Sequence, residues 1–84
     1  MKLRDFIDAC SQKYSVVQRY AGIGKEHLGA PSEGRYLERL IPPAGWRYAP
    51  LQELSDEEQL SPSVIYFLCR KLMINPKDFG VMLD

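Results

Sequence analysis

The sequence predicts a mainly α protein, one small domain spanning residues 1–84 and built of four to five short helices. Three observations carry that prediction. Apolar residues recur at helical spacing from Leu3 to Ala21, two Pro-containing helix starts stand fourteen residues apart in the last third, and Ser55-Asp56-Glu57-Glu58 has the form of a capping box.

Leu3, Phe6, Ile7, Cys10, Tyr14, Val17 and Ala21 form the first stripe, with Arg4, Asp5, Asp8, Gln12 and Lys13 on the other side. One amphipathic helix from about Lys2 to Ala21 is the simplest account, and a break near Tyr14-Ser15 is the competing one. Gly22 and Gly24 close the segment as C-cap glycines do. Gly22 to Gly34 then reads as a loop, with room for one helical turn over Lys25–Leu28.

Residues 35–51 read in two ways. Pro31-Ser32-Glu33 can cap a short helix carrying Tyr36, Leu37 and Leu40. Alternatively, Arg35–Ile41 and Trp46–Leu51 are the arms of a β-hairpin turning at Pro42-Pro43-Ala44-Gly45. Aromatic and β-branched content favours the hairpin, but Glu38 and Arg39 interrupt its alternation, so the helix is preferred. The double proline ends it either way.

The capping box opens a short helix that ends near Leu60, with its acids opposing the helix dipole. Ser61 caps the next helix and Pro62 fills a first-turn position where its missing N–H costs nothing. Asn75-Pro76 repeats that grammar, with Asp78 favourable to the positive helix end. The expected core is the Leu3/Phe6/Ile7/Cys10/Tyr14/Val17 stripe against Ile65, Leu68, Cys69 and Leu72.

A chain of 84 residues buries only about 60% of its unfolded surface, so its stability margin is small. The longest apolar run, Val64–Cys69, is far short of a bilayer span of about 20 residues, and no secretory h-region follows Met1. Cys10 and Cys69 both fall on apolar faces and read as buried thiols, with a disulfide between them as the alternative. A cytoplasmic location is the expectation. The net charge of zero conceals a split: residues 1–50 carry eight bases and five acids, residues 51–84 three bases and six acids. Such a division would suit an oriented partner or head-to-tail self-association, but with only three charges either way chance is the simpler account.

Chemistry is thin. Gly22-Ile23-Gly24-Lys25 resembles part of a phosphate loop, but Arg19 and Glu26 occupy positions that a Walker A motif needs as Gly and Ser/Thr. His27, the only histidine, stands in a glycine-rich loop, away from the stripes that carry both cysteines. No tight metal-ligand spacing joins the three, so no metal, cofactor or catalytic residue is expected. The chain is read as a non-enzyme.

Arg35-Tyr36-Leu37-Glu38-Arg39 and Trp46-Arg47-Tyr48 interleave bases with aromatics, the residue types that dominate binding hot spots. The expectation is a non-catalytic protein-interaction module, a small cytoplasmic regulator or adaptor binding a protein partner or itself. Tyr36, Arg39, Trp46, Arg47 and Tyr48 are its candidate partner-binding residues.

Ser61-Pro62-Ser63, Leu68-Cys69-Arg70-Lys71-Leu72 and Ile74-Asn75-Pro76-Lys77-Asp78-Phe79 together resemble the closing helix of the lambda-repressor-like helix-turn-helix family. Gln18-Arg19-Tyr20-Ala21-Gly22-Ile23 has a glycine and an aliphatic residue near the turn of that family's DNA-reading unit. The resemblance implies the alternative function, a DNA-binding transcriptional regulator with Arg19, Lys25, Arg35 and Arg39 on phosphates. It departs from the family where Gly29, Pro31 and Gly34 interrupt the place of the recognition helix, and the chain is not assigned to it.

Overall fold

The structure is a computed structural model that describes residues 1–22 and 29–81. Its order is α1 (Leu3–Tyr14), β1 (Val17–Tyr20), β2 (Arg35–Ile41), β3 (Gly45–Gln52), α2 (Pro62–Lys71) and a 3-10 turn (Pro76–Phe79). The expectation of a mainly α domain of four to five helices is therefore corrected. Two helices cover one face of a three-stranded antiparallel sheet of order β1-β2-β3.

Each departure has a local cause. The first helix stops at Tyr14 because Ser15 turns left-handed, at φ 56°, and returns its N–H to the Cys10 carbonyl. Val16 and Val17 follow, and their branched β-carbons favour extended backbone. The Ser11 hydroxyl donates to the Val16 carbonyl at 3.0 Å, fixing the corner. The chain then pairs as β1 rather than continuing to Ala21, so Val17 leaves the expected core stripe.

Residues 35–52 form the hairpin, not the helix. Leu40 pairs with Trp46 and Ile41 with Gly45 around the Pro42-Pro43-Ala44 turn. Gly45 sits at φ +103°, a conformation that a side chain would strain. The chain at Ser55–Glu58 is a turn, not a helix, closed by the Glu58 amide on the Ser55 carbonyl at 3.0 Å. Its backbone instead serves α1. The carbonyls of Glu58 and Asp56 accept from the Leu3 and Arg4 amides at 2.9 and 3.1 Å, completing the first turn of α1.

The two predicted caps of the last third are present, the first opening α2 and the second only a four-residue 3-10 turn. Ser61 Oγ accepts from the Val64 amide at 3.3 Å, and Asn75 Oδ1 from the Lys77 amide at 3.0 Å. The core joins Leu3, Phe6 and Cys10 of α1 to Leu37, Ala49 and Leu51 of the sheet and to Ile65, Leu68, Cys69 and Leu72. The Phe6 and Phe79 rings meet with centroids 4.7 Å apart. Among the described residues no helix is long and apolar enough to cross a membrane.

Candidate interaction surface

Strand periodicity sorts the hairpin's side chains onto two faces. Residues directly opposite share a face, so Val17, Glu38 and Tyr48 project together, as do Arg19, Tyr36 and Pro50, and as do Leu40 and Trp46. This outer face lies away from both helices. Leu37, Arg39 and Ala49 project to the inner, helix-covered face.

At the centre of the outer face is an ion pair of unequal exposure. Glu38 is 1% exposed, whereas the Arg19 side chain, whose Nε donates to Glu38 Oε1, is 43% exposed. That hydrogen bond, with the carboxylate's charge, holds the Arg19 guanidinium above its ordinary pKa. Tyr36 is fully buried beside Glu38, and its ring meets that of Tyr48 edge-on, 76° apart in plane at 5.9 Å. Burial, then the nearby Glu38 and Tyr36 charges, raise the Tyr48 phenol. Toward the hairpin turn the face becomes apolar and open: Val17 is 47% and Leu40 51% exposed, with half-buried Trp46 across from Leu40.

The five candidate partner-binding residues are thus divided. Tyr36, Trp46 and Tyr48 belong to the outer face. Arg39 and Arg47 project inward, opposite one another, and reach the end of α2. Arg39 Nη1 donates to the Leu72 and Met73 carbonyls at 2.9 and 3.1 Å, and its guanidinium lies 5.0 Å from the Tyr14 ring centroid. It therefore closes the last turn of α2, where orphan carbonyls and the negative dipole end favour a cation. Arg47 Nε reaches Met73 Sδ at 3.2 Å.

The residues proposed for phosphate contact do not form one stripe. Arg19 is held by Glu38, and Arg35 by Asp56 at 2.5 Å and the Leu54 carbonyl at 2.8 Å. Arg39 is engaged on the inner face, and Lys25 lies outside the described residues. Gln18, Arg19 and Tyr20, part of the helix-turn-helix resemblance, are strand. Sequence reading missed Val17, Glu38 and Leu40 as members of one surface. Their signal was the alternation of a strand that the helical reading set aside.

Cys10 and Cys69 are free and fully buried in the core. Burial chiefly, with the neighbouring Cys69, pushes the Cys10 thiol up to about 12. Burial and then Asp78 push Cys69 up to about 11. Thiolate is the reactive form, so both act as small hydrophobes. His27, Gly24 and the Lys25–Leu28 turn lie outside the described residues. Among the described residues no group of three or more His, Cys, Asp or Glu side chains is placed to hold a metal ion.

Comparison with known protein families, with curated proteins and with solved structures finds no match to this chain.

Proposed function

We propose that this chain is a non-catalytic protein-interaction module, a small cytoplasmic regulator or adaptor that offers the outer face of its sheet to a protein partner. One observation carries the reading. Val17 and Leu40, each about half exposed, lie on the same sheet face as Trp46 and Tyr48, and neither helix packs over them. Aromatic anchors beside exposed aliphatic surface are what protein interfaces bury at their centres. The Arg19–Glu38 pair supplies a polar element that can fix the partner's orientation. Two free core thiols agree with a reducing compartment.

The test is cross-linked capture with the tagged chain and two single variants. Leu40→Arg alters the outer face, and Phe67→Ser removes an exposed aromatic from α2. Both are surface changes, expected to alter stability by less than about 0.5 kcal/mol. The expected result is a specific protein lost with Leu40→Arg and retained with Phe67→Ser. Identical capture by both variants sinks the reading, and so does unfolding of Leu40→Arg.

A further inference from the structure

The charges of this neutral chain are sorted along its helices. Both helices run the same way. Their starts meet where the Leu60 amide donates to the Met1 carbonyl at 2.8 Å, and their ends meet at Arg39, which touches both Tyr14 and Leu72. At the starting end stand six exposed acids, Asp5, Glu33, Glu53, Asp56, Glu57 and Glu58. Only three cations answer them: Lys2 and Arg4 both bind Glu57, and Arg35 binds Asp56. At the other end stand Lys13, Arg39, Arg47, Arg70 and Lys71, and among the described residues none of the five pairs with a carboxylate. Asp78, the acid nearby, accepts from the Tyr14 hydroxyl. Two helix dipoles of about half a charge each oppose this pattern but do not cancel it, so the starting end stays net negative and the other end net positive.

The basic end also has shape. Arg70, Met73, Ile74, Asn75 and Pro76 line a groove of about 470 Å³, and Met73 is 56% exposed at its mouth. Met73 holds this position at φ 56°, a left-handed conformation that side chains disfavour. The acidic end presents the turn 53–58, whose Glu53 and Glu58 are exposed and form no ion pair among the described residues.

We propose that the basic groove at the end of α2 binds the acidic turn 53–58 of a second copy of this chain. The two surfaces lie at opposite ends of each copy, so the contact is head-to-tail and each copy keeps one free end. Exposed charges govern it, and salt therefore weakens it. It uses neither Val17, Leu40 nor Trp46, so it stands or falls separately from the outer-face reading.

Sedimentation velocity tests it, over about 10 to about 500 µM protein, in about 20 mM and about 500 mM salt. The wild-type chain should sediment faster with concentration at low salt and as a monomer at high salt. Arg70→Glu/Lys71→Glu and Glu53→Lys/Glu58→Lys change only exposed side chains, and circular dichroism checks that both fold. Each alone should associate at least about tenfold more weakly than wild type, and an equimolar mixture should regain association. A wild-type monomer in every condition overturns the proposal, as does association that both charge reversals leave unchanged. A chain that stays monomeric at low salt yet binds a short DNA duplex also overturns it, because the basic end is then a phosphate site.

Discussion

The two faces of the sheet are made by alternate residues of the same strands, yet they reach burial by different means. On the inner face Leu37, Ala49 and Leu51 are fully buried against two helices, and the one strong charge at the centre, Arg39, is turned to the carbonyls that end α2. On the outer face Tyr36 and Glu38 are buried as deeply, but around an ion pair and an aromatic edge contact. The outer burial also stops short: within one side-chain repeat of Glu38 along β2, Leu40 is half exposed. A carboxylate enters a sheet face only with a partner for its charge, whereas methyl groups enter by area alone. The inner face is thus built for stability, and the outer face combines a fixed polar centre with an unfinished apolar margin.

The largest effect that could break this contrast is on the inner side. Phe6→Ala should cost about 3–5 kcal/mol in urea unfolding, because the ring is fully buried and leaves a cavity beside Phe79. A loss below about 1 kcal/mol would mean that the helix layer is not the core.

Next comes the polar centre. Glu38→Gln keeps the shape and removes the charge that Arg19 meets, so a loss of about 1–3 kcal/mol is expected. No loss in the same urea titration would reduce the outer face to a surface with no structural role.

A third effect sharpens the inner face through pH. Both thiols are protonated in folded and unfolded chains below about pH 9. Above that the unfolded thiols ionise first, while the folded ones hold their protons until about 12 and about 11. Stability should therefore fall as pH rises, by about 1 kcal/mol per pH unit for each thiol. Cys10→Ala/Cys69→Ala should flatten the decline measured between about pH 9 and about 11. An unchanged slope would show that the thiols are not desolvated.

The fold class was misread, and only part of the fold was legible, where local chemistry and tertiary contact agree. The Ser61-Pro62 helix start and the buried stripe of α2 depend on neighbours in sequence and are present, whereas Asn75-Pro76, read as a second helix start, opens only a four-residue 3-10 turn. The hairpin was legible as an alternative, and it was set aside because Glu38 and Arg39 break alternation. Both charges are accommodated by long-range partners, Arg19 and the end of α2, that periodicity cannot register. The capping box misled for the same reason: its backbone carbonyls serve the helix that begins at Leu3, not one that begins beside them. Of the candidate site, the aromatic residues were found together. The two arginines read alongside them lie on the opposite face, a separation that only the strand assignment reveals.

That closure of α1 has a consequence in time. Lys2 and Glu57 are 55 residues apart, and the amides of Leu3 and Arg4 find their acceptors in the same late turn. During synthesis the β2–β3 hairpin can pair as soon as Gln52 has emerged. α1, made before that hairpin, must wait with open amides, and twelve residues alone form only a marginal helix in water. α1 is therefore secured only after the acidic turn has emerged, and a ribosome stalled before that turn would display α1 unfinished.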